Sequence, residues 1–101
     1  MRMIVFFDLP VGNYQEQKTY RKFRKFLINE GFLMMQESVY TKLALNMTVI
    51  NSQLTRIKNN KPDKGLVEVL TITEKQFGSI EYIVGQKQLD VIDSESRLVI
   101  L

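Results

Sequence analysis

The run Met3-Ile4-Val5-Phe6-Phe7 constrains this chain more than any other feature. Five apolar residues are too few for a helix, four of them are β-branched or aromatic, and Asp8-Leu9-Pro10 stops them, so residues 2 to 8 read as a buried strand. A carboxylate closing such a strand is costly to bury unless it is paired, hydrogen-bonded or bound to a cation. Asp8 is therefore the first candidate for chemistry. At 101 residues the chain has room for one domain and one modest core.

The remaining elements follow from periodicity and punctuation. Pro10-Val11-Gly12 makes a turn, Asn13 is a good N-cap and Glu16 stands three residues on, which predicts a helix from about Tyr14 to Asn29 that stops at Gly31. Tyr20, Phe23, Phe26 and Leu27 share its core arc, while Lys18, Arg21, Lys22 and Lys25 collect on the opposite arc with Tyr14. Residues Phe32 to about Lys42 read as one extended segment with neither face cleanly apolar. Asn46 caps a second amphipathic helix to about Asn60, with Met47, Ile50, Leu54 and Ile57 as its stripe, and Lys61-Pro62-Asp63-Lys64-Gly65 breaks it. Leu66 to Thr73 reads as a strand, Glu74 to Gly78 as a short polar turn and Ser79 to Val84 as a further strand. The order fits an α+β, ferredoxin-like βαββαβ domain with both helices on one face of an antiparallel sheet. Residues 86 to 101 are left over, and Arg97-Leu98-Val99-Ile100-Leu101 looks like one more strand. An exposed apolar edge is a pairing hazard, so this segment is expected to complete the sheet of a second copy in a homodimer.

Composition removes several chemistries. Without cysteine there is no disulfide framework, thiolate metal site or thiol nucleophile; without histidine there is no imidazole base or ligand. Catalysis would fall to carboxylates, hydroxyls, lysine or a metal ion. No apolar run approaches the roughly 20 residues that cross a bilayer, which predicts a cytoplasmic protein away from membranes. The net charge of +3 permits an anionic partner. Its placement is more telling. Five of the eight residues from Lys18 to Lys25 are Lys or Arg, with no acid among them. Such a stripe is either a solvated helix exterior or a track for nucleic-acid phosphates, binding in a salt-dependent and largely sequence-independent way. Asp8 likewise has two readings. It is a turn residue accepting N–H groups around Pro10 to Gly12, or a ligand for Mg²⁺, which keeps several waters and uses one or two carboxylates. Two Asp8 residues meeting across a dimer axis would supply the pair.

Four blocks carry a resemblance to a known family: Phe6-Phe7-Asp8-Leu9-Pro10; Tyr20-Arg21-Lys22-Phe23-Arg24-Lys25-Phe26-Leu27 ending at Glu30-Gly31-Phe32; Gln36-Glu37-Ser38-Val39-Tyr40; and Thr73-Glu74-Lys75-Gln76-Phe77. In order and spacing the chain resembles the CRISPR-associated endoribonuclease family, the smaller of the two universal CRISPR adaptation proteins, in a type II-like version. The resemblance implies a ferredoxin-like homodimer that bridges two CRISPR integrase dimers and holds a double-stranded DNA prespacer. It maps the family's metal-binding and catalytic aspartate onto Asp8, and a nucleic-acid-binding patch onto Lys18, Arg21, Lys22, Arg24 and Lys25. It also implies Mg²⁺-dependent cleavage of single-stranded RNA or double-stranded DNA as an alternative activity. One departure concerns position 7: many relatives carry tyrosine before the aspartate, where this chain has Phe7. A ferredoxin-like module binding RNA on its sheet is a third reading, and it would need two or three solvent-facing aromatics on neighbouring strands.

Overall fold

The computed structural model describes residues 1–86. Seven elements follow one another: β1 (Arg2–Asp8), α1 (Tyr14–Asn29), β2 (Leu33–Gln36), β3 (Val39–Leu43), α2 (Met47–Asn59), β4 (Leu66–Ile72) and the short α3 (Glu74–Gly78). The four strands form one antiparallel sheet in the order β2-β3-β1-β4. This is the ferredoxin-like βαββαβ arrangement expected from the sequence pattern.

Strand β1 is apolar from Met3 to Phe7 because both of its faces are covered there. Met3, Val5 and Phe7 alternate toward the helices and pack with Phe23 and Leu27 of α1, Ile50 and Ile57 of α2, Phe32 and Tyr40. Ile4 points the other way, onto Phe77 of α3, with Phe6, Leu33, Met35, Val39 and Ile72 around it. Phe7 lies at the centre of an aromatic group: its ring is edge-on to Phe23 at 5.2 Å and stacked on Tyr40 at 5.7 Å.

Helix α1 starts and stops where its sequence signals place it. The Asn13 side chain accepts the Glu16 N–H at 2.9 Å, and the Glu16 carboxylate accepts the Gly12 N–H at 2.8 Å. At its far end Gly31 adopts φ +96°, and the Phe32 N–H returns to the Leu27 carbonyl at 3.0 Å.

Four local expectations are corrected. Residues 32–42 are two strands folded into a hairpin, because Ser38 turns the chain with φ 64° and the register shifts between Met34 and Gln36. The polar Gln36-Glu37-Ser38 run has little to bury, so reversing the chain there lets Phe32 and Tyr40 reach the helix-side core. Glu74 to Gly78 is a helical turn, since Thr73 and Gln76 form a reciprocal capping box and Phe77 is buried. Residues 79–84 form no strand: Ile83 and Val84 are 87% and 91% exposed, with no strand among the described residues to pair with. Met47 is half exposed, and α2 instead buries Ile50, Gln53 and Ile57. Of the segment 86–101 assigned to dimer completion, all but the first residue lies outside the described residues.

Candidate nucleic-acid interface and the Asp8 site

Gln53 is buried in α2 because it completes a polar cluster that ties the two helices together. The Glu30 carboxylate at the end of α1 accepts hydrogen bonds from Arg56 Nε and Nη2, at 2.5 and 2.6 Å, and from the Gln53 amide at 3.0 Å. Lys42 donates to the Glu30 backbone carbonyl at 2.6 Å and to Gln53 Oε1 at 2.7 Å. The Arg56 bonds, then the Gln53 bond, hold the Glu30 carboxyl at about 2, well below its ordinary value; Glu30 in turn raises Arg56. This brace runs α2 antiparallel beside α1: Glu30 meets the middle of α2, while Thr19 and Lys22 lie against its end at Asn59 and Asn60.

The brace leaves the outer arc of α1 to solvent. Lys18, Arg21, Lys22, Arg24 and Lys25 are all exposed. Among the described residues none of the five makes an ion pair; the two pairs present are Arg2–Glu74 and Arg56–Glu30. The wider distribution of charge is uneven. The helical layer, residues 13–31 and 46–65, holds nine Lys or Arg and three acids, whereas the other described residues hold three Lys or Arg and five acids. The fold thus collects positive charge on one side to an extent that the net +3 conceals.

Asp8 occupies a different place. Strand alternation turns Phe7 inward, so Asp8 emerges on the sheet's opposite face, exposed and without a hydrogen bond or ion pair among the described residues. The turn reading predicted that its carboxylate would accept nearby N–H groups. The Gly12 N–H is instead taken by Glu16, which leaves the Asp8 carboxylate available. Two shallow depressions meet at Asp8. One, of about 260 Å³, is shared with Glu37, Ser38, Leu66 and Glu68; the other, of about 340 Å³, with Leu9, Val11, Tyr20 and Ser38. The Ser38 carbonyl accepts the Phe7 N–H at 3.0 Å and its hydroxyl pairs with the Tyr20 hydroxyl at 2.9 Å, so the β2–β3 turn buttresses the end of β1. Gly65 buttresses it from the other side. It has φ +89°, and a Cβ there would stand 2.6 Å from the Asp8 carbonyl oxygen.

These contacts test what the site could hold. Among the described residues no group of three His, Cys, Asp or Glu converges on a point. Glu37 and Glu68 border the same depression as Asp8 without forming a ligand group of three with it, so a hard, largely hydrated cation such as Mg²⁺ would need a second carboxylate beside Asp8. The sheet-binding reading fares worse. Of the strand aromatics, Phe7 and Tyr40 face the helices, and Phe6 is partly covered in the cluster around Phe77, which leaves no stacking pair on the open face.

A sequence model of the family described as CRISPR associated protein Cas2 matches residues 1–80. The chain belongs to the Cas2 family. Relatives agree over the whole length. The protein named CRISPR-associated endoribonuclease Cas2 of Streptococcus mutans serotype c is 50% identical over 101 residues, covering all of this chain and 93% of the relative. The like-named protein of Treponema denticola is 50% identical and that of Ligilactobacillus salivarius 45%, each over the full length of both chains. Membership supports a role in CRISPR adaptation or RNA cleavage. No helix among the described residues is long and apolar enough to cross a membrane.

The basic stripe and Asp8, both legible in the sequence, lie on different surfaces: the stripe on the outer face of the helical layer, Asp8 at the end of the sheet. Sequence reasoning passed over Ser38, Tyr20 and Gly65 as supports of the Asp8 end, and Glu30 as the brace. A Gly immediately before a strand that pairs with Asp8 was the available signal for Gly65. The hydroxyl pair and the brace carried none, since they join residues 11 or more positions apart.

Proposed function

We propose that the chain acts in CRISPR spacer acquisition as a homodimeric adaptor that binds double-stranded prespacer DNA and bridges integrase dimers in the cytoplasm. The observation that carries this reading is the row of five exposed cations on α1 with no ion-pair partner among the described residues. A cation already paired releases few counterions on meeting a phosphate, whereas an unpaired one contributes in full. The dimer is supported by β4. Among the described residues it is an edge strand, and its Leu66 and Leu70 are about half exposed on the face away from the helices. A second copy covering that edge would pair its open backbone groups and bury those leucines.

The name shared by the relatives also brings an endoribonuclease activity to this chain as a second reading, favoured by the available carboxylate of Asp8. In that reading Asp8 from each protomer would hold Mg²⁺, and the ion would supply activation of a water for phosphodiester hydrolysis. The chain's own contribution is positional: Gly65 and the Ser38 turn fix where the carboxylate emerges.

The adaptor reading is tested by changing Lys18, Arg21, Lys22 and Lys25 together to Glu. Duplex binding at moderate salt is expected to vanish while sedimentation still shows a dimer. Unchanged duplex affinity would refute it.

A further inference from the structure

The segment Lys61-Pro62-Asp63-Lys64-Gly65 ends α2, and it also forms the far wall of a groove. Between α1 and this segment lies a polar cavity of about 400 Å³ lined by Thr19, Lys22, Asn59, Asn60, Lys61 and Asp63. A second cavity of about 150 Å³ shares Thr19 and Asp63 with it and continues past Lys64 to Leu9 and Pro10, beside Asp8. Lys61 and Lys64 are exposed and, among the described residues, make no ion pair. Lys58 lies on the flank of α2 near Val67 and Val69, a depression that Lys61 also borders. Lys22 of α1 and Lys61 of the α2–β4 loop thus line the larger cavity together, and Lys64 lines the smaller one opposite Gln15, Glu16 and Thr19.

We infer that Lys61 and Lys64 are a second row of phosphate contacts, so that a DNA duplex seats with one backbone on α1 and the other on the α2–β4 loop. The inference rests on the duplex-binding reading above and specifies its geometry. Lys22 and Lys61 lie on opposite sides of the larger cavity, one on α1 and one on the loop after α2. The major groove of B-form DNA is about 12 Å wide between its flanking backbones. Cations on both sides of one cavity offer a contact to each of the two strands of a duplex. A single strand offers one backbone and gains nothing from the second row. Asp63 lines both cavities and Glu16 the smaller one, each with the wrong sign for a phosphate, so both oppose binding.

The test is the salt dependence of binding to a double-stranded DNA and to a single strand of equal length, by wild type, a Lys61→Gln/Lys64→Gln double variant and Asp63→Asn. Each lost phosphate contact lowers the slope of log affinity against log salt by about 0.9. The double variant is expected to lose about 2 from the duplex slope per chain, and roughly 10- to 60-fold in duplex affinity near 0.1 M salt. Its affinity for the single strand is expected to change less than twofold. Asp63→Asn is expected to tighten duplex binding several-fold, a gain that misfolding cannot produce. An unchanged duplex slope, or equal weakening of both ligands, overturns the inference while leaving the α1 reading in place. Full duplex affinity in the α1 charge-reversal variant overturns the underlying reading itself.

Discussion

Gly65→Ala should destabilise the protein through a contact that can be separated from backbone strain. At φ +89° an L-residue pays roughly 1–2 kcal/mol for the left-handed conformation. The new Cβ would also meet the Asp8 carbonyl oxygen at 2.6 Å and Leu9 Cδ2 at 2.8 Å. Neither the β1 backbone nor the buried Leu9 yields freely, and overpacking of this kind costs about 1–3 kcal/mol. The unfolded chain loses entropy on the same change, which offsets about 0.4–1 kcal/mol. The expected net loss is about 2.5 kcal/mol. Gly31→Ala provides the reference: its φ is +96°, but its Cβ would meet nothing closer than Lys42 Cε at 3.6 Å, an ordinary contact. It should cost about 1 kcal/mol, the strain less the entropy gain. Urea denaturation at one fixed protein concentration, with a slope of about 1.5 kcal/mol per M, would then lower the Gly65→Ala midpoint by roughly 1.7 M and the Gly31→Ala midpoint by roughly 0.7 M. Equal midpoints for the two variants would refute the close approach of the α2–β4 loop to the end of β1.

Two further outcomes follow from the site and its brace. Glu30 has its folded pKa lowered to about 2 from 4.5, so its contribution is present above pH 4.5 and is lost as pH falls toward 2; Glu30→Gln should remove about 1.5 kcal/mol at pH 7 and flatten the acid limb in that window, as read by denaturation at pH 7, 4 and 2.5. Asp8→Asn should leave stability within about 0.5 kcal/mol and duplex affinity intact, because the carboxylate has no partner among the described residues, while abolishing any Mg²⁺-dependent cleavage of RNA or DNA in an assay with labelled substrate.

Both long helices were legible in the sequence because their signals are local. Asn13 and Asn46 cap within three residues, and Gly31 terminates within one. The extended regions were harder. The period-2 pattern from Phe32 to Thr41 continues across the Ser38 turn, so Phe32 and Tyr40 share a face whether the segment is one strand or two, and nothing in the alternation marks the reversal. Ile80, Tyr82 and Val84 have strand-forming side chains, but a strand exists only when another pairs with it, and none does among the described residues. The candidate site divides similarly. Asp8 and the α1 cations were visible as residue types in a pattern. The lysines of the α2–β4 loop were visible only as a helix breaker.

The sequence by itself determined the helix boundaries, the apolar identity of β1, the basic character of α1 and the family. Each is written in neighbouring residues, since capping, amphipathic periodicity and charge runs act over one to four positions. Only the tertiary structure decided that Asp8 faces away from the basic helices, that Gln53 is buried to complete the Glu30 brace, and that Lys61 and Lys64 lie across a groove from Lys22 and Thr19. Those facts depend on chain reversals that bring together positions about 20 to 60 apart, and electrostatic and hydrogen-bonding energies depend on distance in space and not along the chain.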